Sequence, residues 1–240
     1  MATPEAERPA SWADVLWIDT GSVNCYLCRD ADGYTLIDAA TPGKADLILA
    51  RLAEFGGAPG DLKRIVITHA DLDHAGSAAA LQQRSGAAVY ASPATAALLA
   101  GGRSPRHMPR LAQFFIDRFL RYGAVDRAAL RPMAEGDTLP VLGGLRVLAA
   151  PGHTLDQHAL YSPAAGVLFP GDALNTRDGR LQLTPPRITA APAAAERTAA
   201  RLLALRPAVI ACGHGAPLRD AAAVDDLLAR LPHSGVGSGA

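Results

Sequence analysis

Arg64-Ile65-Val66-Ile67-Thr68-His69-Ala70-Asp71-Leu72-Asp73-His74 is the stretch on which the reading of this chain turns. Arg64 to Thr68 is apolar and β-branched, the pattern of a buried strand. From Leu72 to Arg84 small and apolar residues dominate, which predicts a helix over 72–84. Four side chains of metal-binding type, His69, Asp71, Asp73 and His74, therefore fall on the turn between a strand end and a helix. Open α/β sheets place their ligand crevices there. A bound divalent cation gives up most of its water shell and needs nitrogen or oxygen donors in return. Donors at alternate positions of a turn aim at one point, while the adjacent Asp73 and His74 splay apart and can serve two neighbouring ions. Taken alone, the loop also reads as a surface turn rich in Asp and His.

The chain has 240 residues, 49% of them apolar and 19% charged, with a formal net charge of zero. That length buries a substantial core without staples, and the balance predicts a soluble globular protein. A neutral chain gives no reason to expect nucleic acid or an anionic membrane surface as partner. No apolar run reaches the length of a membrane span, and Met1 to Ala13 carries no signal-peptide core. The expected compartment is cytoplasmic. Three cysteines make a disulfide framework unlikely to be the plan of this fold. Cys25 and Cys28 form an isolated CxxC in a strand-like setting, read here as structural.

Residues 1–11 read as a loose tail and 233–240, rich in Gly and Ser, as a disordered end. Between them, 12–232 reads as one layered α/β domain. Strands are expected at Val15–Asp19, Val23–Cys28 and Tyr34–Asp38, then a helix over Lys44–Phe55 that Asp38 would cap. After the central loop come a strand at Ala87–Ala91 and a helix opened by Ser92-Pro93. Residues 101–128 break the pattern with a helical insertion, an amphipathic helix from Met108 to Tyr122. Three of the five Phe sit on it. It reads as packed on the body, or as a lid over the site or a subunit contact. Arg106 and His107, beside it, read as surface residues. Further strands are expected at Thr138–Leu142, Leu145–Ala149, Gln157–Tyr161, Val167–Phe169 and Ala208–Ala211, with helices over Pro192–Leu205 and Arg219–Leu231.

Three later loops repeat the design of the first: an apolar strand, a Gly that lets backbone approach closely, then one donor. They are Ala150-Pro151-Gly152-His153, Phe169-Pro170-Gly171-Asp172 and Ala211-Cys212-Gly213-His214. Each alone is weak. Together with the first loop they put seven donors at four strand ends.

In this order the four motifs resemble the metallo-β-lactamase superfamily of metal-dependent hydrolases. That family carries a H-x-H-x-D-H run, then Gly-His, Gly-Asp and Gly-His. The successive gaps, His74 to His153, His153 to Asp172 and Asp172 to His214, are 79, 19 and 42 residues, similar to those of glyoxalase-II-like and lactonase-like members. Val23-Asn24-Cys25-Tyr26-Leu27 and Leu36-Ile37-Asp38 also resemble that branch. The resemblance implies an αββα four-layer sandwich with the site at one edge of two sheets. It implies one metal on His69, Asp71 and His153, a second on Asp73, His74 and His214, and Asp172 bridging both. Two cations at about 3.5–4 Å lower the pKa of a shared water and polarise a substrate oxygen. Asp73 is the candidate to orient that water and pass its proton on.

Two departures matter. Position 71 of this chain carries Asp where the family run has His, which makes the first site harder and more anionic. Zinc remains the expected cofactor, with manganese or iron the alternatives. Thr154-Leu155-Asp156-Gln157-His158 lacks a further Gly-His, and His158 reads as packed within the next strand rather than as a ligand. Asn175, Thr176 and Arg177 follow the Asp172 loop closely enough to line a pocket. The expected activity is hydrolysis of a small ester, thioester or lactone. The alternatives are a small phosphodiesterase and, because an acid at position 71 also occurs in the di-iron flavoprotein branch, an iron-dependent oxidoreductase.

Overall fold

The computed structural model of the protein describes residues 10–231. The expected tails over 1–11 and 233–240 lie outside them, except Ala10, which packs against the core, and Ser11, whose hydroxyl caps the turn Trp12–Asp14.

Two sheets form. The first contains β1 (Val15–Asp19), β2 (Asn24–Asp30), β3 (Gly33–Ile37), β4 (Leu62–Val66), β5 (Ala88–Ala91) and β6 (Leu130–Pro132), in that spatial order. Its first three strands are antiparallel hairpin neighbours and β3 to β6 run parallel. The parallel connections are made by α1 (Ala45–Glu54), by α2 (Leu72–Ala75) with α3 (Ala78–Ser85), and by α4 (Pro93–Leu99) with α5 (Arg110–Phe119). The second sheet runs β11-β10-β9-β8-β7, from β7 (Thr138–Leu139), β8 (Leu145–Ala149), β9 (His158–Ser162), β10 (Val167–Phe169) and β11 (Val209–Ile210). α6 (Pro192–Leu203) crosses from β10 to the parallel β11, and α7 (Ala221–Arg230) closes the order.

Three apolar clusters account for the layering. Tyr26, Cys28, Ile37 and Val66 of the first sheet meet Val147, Leu160, Phe169 and Val209 of the second. At that interface the Tyr26 and Phe169 rings meet edge-on at 5.3 Å. Cys25, Leu27, Leu36 and Ile65, on the other face of the first sheet, pack against Ile48 and Leu52 of α1 and Leu81 of α3. Ala159, Leu168 and Ile210 face Leu202 of α6 and Leu227 of α7. Each sheet is thus buried on both sides, and the order is helix, sheet, sheet, helix, the αββα sandwich expected from the sequence. Cys25 and Cys28 fall in different clusters. Three residues apart on a strand, they point to opposite faces and cannot share a bond or an ion. Burial pushes both thiols well above their ordinary range.

The helix expected over 72–84 is broken. His74 O, which an unbroken helix would offer to residue 78, accepts instead from Ala39 N at 2.6 Å. Ser77 then binds the loop after β3: its N–H donates to Ala39 O, its hydroxyl donates to Thr41 O at 2.7 Å and accepts from Lys44 N at 2.9 Å. The break clamps α2, and with it His74, to the end of β3. The strand expected at Thr138–Leu142 shrinks to two residues. β6 was not anticipated; it ends on Pro132 at the edge of the sheet, where a missing N–H costs no ladder bond. No helix among the described residues is long and apolar enough to cross a membrane.

Ser77→Ala removes two of these clamp bonds and should destabilise the fold by about 1–3 kcal/mol. Urea unfolding with an unchanged m-value checks this; a loss under about 0.5 kcal/mol would show that the break does not depend on them.

Candidate metal centre

The four loops bring their donors together beside the two sheets, where the largely apolar strands end and polar side chains find room. His69, Asp71, Asp73 and His74 follow β4, His153 follows β8, Asp172 follows β10 and His214 follows β11. Their ligand atoms fall into three overlapping groups: His69, Asp71 and His153; His69, His74 and Asp172; Asp73, His74 and His214. Asp71 Oδ2 lies 3.1 Å from His153 Nε2 and 3.5 Å from His69 Nε2. Asp172 reaches both sides: Oδ1 is 3.2 Å from His74 Nε2, and Oδ2 is 3.3 Å from His214 Nε2 and 3.8 Å from His153 Nε2. Asp73 Oδ2 is 3.5 Å from His214 Nε2. The seven residues are brought to one spot.

Two glycines permit this. A Cβ at position 213 would stand 2.6 Å from His74 Cε1 and 2.8 Å from Asp172 Oδ1. Gly152 has φ 156°, and a Cβ there would meet the α6 backbone at Ala195 Cα, 2.5 Å away.

The surrounding shell fixes where the imidazole protons sit. Asp38 accepts from His74 Nδ1 at 2.8 Å, from Thr68 N at 2.8 Å and from Thr68 Oγ1 at 2.9 Å. The Thr68 hydroxyl, its proton given to Asp38, accepts from His69 Nδ1 at 3.0 Å. His214 Nδ1 donates to Ser22 O at 2.9 Å. Three imidazoles thus carry the proton on Nδ1 and turn the Nε2 lone pair inward, the tautomer of a metal ligand. His69 Nε2, His74 Nε2 and Asp172 Oδ1 are buried and make no hydrogen bond. Buried acceptors in that state are costly. A cation at this point satisfies all three, so the donor set fits a divalent metal.

Asp38 corrects the sequence reading. It was expected to cap the helix near Lys44, but its carboxylate is spent on Thr68 and His74. The early strand has a similar role at the other end. Asn24 Nδ2 donates to Gly215 O at 2.6 Å, and Tyr26 Oη to Cys212 O at 2.7 Å, pinning the loop that carries His214.

His107 is the second correction. Expected at the surface, its side chain is 6% exposed, and Nε2 lies 3.3 Å from Asp71 Oδ2. Arg106 is exposed, as expected. His158 sits on β9 with Nδ1 donating to Asp156 O at 3.1 Å, apart from the cluster.

The charges are mutually reinforcing. Burial works against ionising Asp172, but His74 and His214 outweigh it and hold the carboxyl well below its usual range. Burial opposes ionising His74 too, yet Asp172 and Asp38 raise it well above a free imidazole. His153 is raised despite burial by Asp71 and Asp172. Asp71, also buried, is lowered by His153 and His69.

The site opens into a cavity of about 420 Å³. Asp71, Asp73 and His214 lie at its base, and Met108, Ile116, Leu120, Pro185 and Ile188 give it apolar walls. Asn175 and Arg177 line it as expected; Thr176 is buried behind them, its hydroxyl donating to Ala216 O. α5, shorter than the helix expected over 108–122, does not bury its apolar face. Leu111, Phe114, Phe115 and Phe119 point to solvent, which corrects the expectation of plain packing on the body.

Comparison with known proteins agrees with the architecture. Residues 18–214 match the model of the metallo-beta-lactamase superfamily, and the chain belongs to that family. It is similar to the uncharacterized protein YobT of Bacillus subtilis, 32% identical over 161 residues that make up 65% of this chain and 64% of that protein. It is similar to the hydroxyacylglutathione hydrolase of Rhodobacter capsulatus, 35% identical over 64% of this chain and 48% of the relative. The chain thus spans between half and two thirds of these curated relatives. Among solved structures, a B3 metallo-beta-lactamase with an active-site glutamic acid superposes with a TM-score of 0.70 at 26% identity, over 93% of this chain and 86% of that one.

Asp38→Asn should lower metal affinity by about 10–100-fold, because the amide keeps only one acceptor oxygen and turns its NH2 on either the Thr68 N–H or the His74 Nδ1–H. Competition with a chromophoric chelator measures it, and unchanged affinity would show that this shell is idle. Because His74 and His153 are raised, metal must displace protons from them. Affinity should therefore fall as pH drops through neutrality, and loading should release protons, read by calorimetry in buffers of different ionisation enthalpy.

Proposed function

We propose that the protein is a metal-dependent hydrolase that directs an activated water at the carbonyl of a small ester, thioester or lactone. The observation that carries this reading is the set of inward-turned imidazole nitrogens, locked by Asp38, Thr68 and Ser22, facing three carboxylates, Asp71, Asp73 and Asp172, in an apolar-walled cavity. One cation is assigned to His69, Asp71 and His153, and the second to Asp73, His74 and His214, with Asp172 between them. Zinc is the first expectation for a nitrogen-rich set; the Asp71 carboxylate leaves manganese or iron as alternatives. Such a pair supplies a water acidic enough to attack near pH 7 and positive charge for the developing oxyanion.

The remaining work falls to the chain. Asp73 is half-buried, with side-chain exposure of 36%, and lies beside the cavity. Its carboxylate is placed to take the proton of the attacking water and return it to the leaving group. Met108, Ile116, Leu120 and Ile188 exclude bulk water and hold the apolar part of the substrate. Arg177, exposed beside the cavity, is placed to bind its polar end, and the buried Asn175 braces that loop, its Oδ1 accepting from Gln182 Nε2 and Arg177 N. The size of the cavity suits a small molecule. The relative named as a hydroxyacylglutathione hydrolase supports a thioester within this class.

Metal-reconstituted protein should turn over members of a panel of lactones, thioesters and phosphodiesters, with esters or thioesters preferred. Turnover confined to phosphodiesters would replace the substrate class. Iron in protein made without added metal, with a reversible change in its visible spectrum, would replace hydrolysis with redox chemistry. His69→Ala and His214→Ala should each cut both bound metal and activity by more than about 10-fold; unchanged values in both would sink the site assignment.

A further inference from the structure

We propose that His107, carried by the insertion between α4 and α5, is a fourth protein donor to the cation assigned to His69, Asp71 and His153. The inference rests on the metal-centre reading above and extends it to a residue outside the four strand-end loops.

Three imidazole nitrogens surround one oxygen. Asp71 Oδ2 lies 3.1 Å from His153 Nε2, 3.3 Å from His107 Nε2 and 3.5 Å from His69 Nε2. The His107 and His153 rings stand edge to face at 4.7 Å. His69, Asp71 and His153 offer three ligand atoms within 4.8 Å of one another, and His107 stands beside that set, 3.3 Å from Asp71 Oδ2, so that a small turn of its ring would bring the donors to four, the number that tetrahedral zinc takes.

The placement is built. His107 N and Met108 N both donate to Gln113 Oε1 at 3.2 Å, so the first turns of α5 hold the His107 segment. At the far end of the insertion Tyr122 Oη lies 2.7 Å from Arg103 O and 2.9 Å from Ala70 O, one residue from Asp71. Val125 N donates to Leu99 O and closes the base of the excursion. An insertion tied to the metal loop through Tyr122 and closed at its base by Val125 and Leu99 sends one buried imidazole back to that loop. Two consequences follow for the reaction. The cation at Asp71 has fewer positions open to substrate than its neighbour at Asp73. The insertion that walls the cavity with Met108, Ile116 and Leu120 is also tied to occupancy of the site.

The test uses the full-length protein loaded with two equivalents of Co²⁺. With ¹⁵N-labelled histidine, five of the seven imidazoles should show paramagnetically displaced nitrogens: those of 69, 74, 107, 153 and 214. His107→Gln should lose one of the five and weaken one of two Co²⁺ affinities by about 10-fold or more while the other holds. Four displaced imidazoles in the wild-type protein overturn the proposal, as does a His107→Gln protein with unchanged spectrum and affinities, and both outcomes leave the hydrolase reading standing. Wild-type protein that binds no Co²⁺ removes the metal-centre reading and this inference together. The wild-type spectrum decides the matter even where the variant fails to fold.

Discussion

The structure depends on one buried carboxylate. Asp38 leaves β3 in a left-handed turn, φ 57°, and accepts from the Thr68 backbone, the Thr68 hydroxyl and His74 Nδ1. Those bonds cross from β3 to the end of β4 and on to α2, joining three elements by one side chain. They also decide chemistry. A neutral imidazole has one proton and two nitrogens, and only the bond to the far nitrogen settles which faces inward. Asp38 settles it directly for His74 and, through Thr68, for His69. The conformational cost of that left-handed turn is offset by charge-assisted hydrogen bonds that exist nowhere else on β3.

Around that anchor the fold is a device for bringing strand exits together. Two sheets buried on both faces leave their strands few polar positions inside, Thr35 and Ser162 among them, and the metal-type donors collect where strands end. The first sheet contributes the dense loop after β4, and the second contributes one donor from each of β8, β10 and β11. Glycines at 152 and 213 let backbone pass where a methyl would strike α6, His74 or Asp172. The crowding that these glycines relieve also sets the electrostatics. Histidines and carboxylates in one dry space shift each other in opposite directions, away from the protonation states that burial alone would favour.

Much of this was legible in the sequence because it is written locally. Each strand–Gly–donor unit is a few residues long, and four of them in one chain carry their own pattern. What stayed hidden depends on distant partners. The stretch 72–84 is mostly helical in composition, and distant partners break it: Ala39 takes the His74 carbonyl, and Ser77 binds the loop after β3. Asp38 satisfies a local capping rule, and nothing nearby announces Thr68 and His74 as stronger claimants. His107 stands between Arg106 and Met108 without strand or glycine beside it, and its neighbours gave it a surface character; Tyr122 and Gln113 bring it inward from 15 and 6 residues away. The apolar face of α5 was read correctly as amphipathic, but periodicity says only that such a face exists. It does not say that the face looks outward.

The bond from His214 to the Ser22 carbonyl spans 192 residues, and Asn24 reaches the same loop across 191. The first strands of the chain and its last donor therefore complete the same wall. A growing polypeptide can build both early hairpins and the whole dense loop after β4 well before His214 is made, so the Ser22 carbonyl waits for its partner until synthesis has passed residue 214. Such a long closure is slow to find and late to form. The order of synthesis thus leaves the wall that His214 completes open until that last loop has been made.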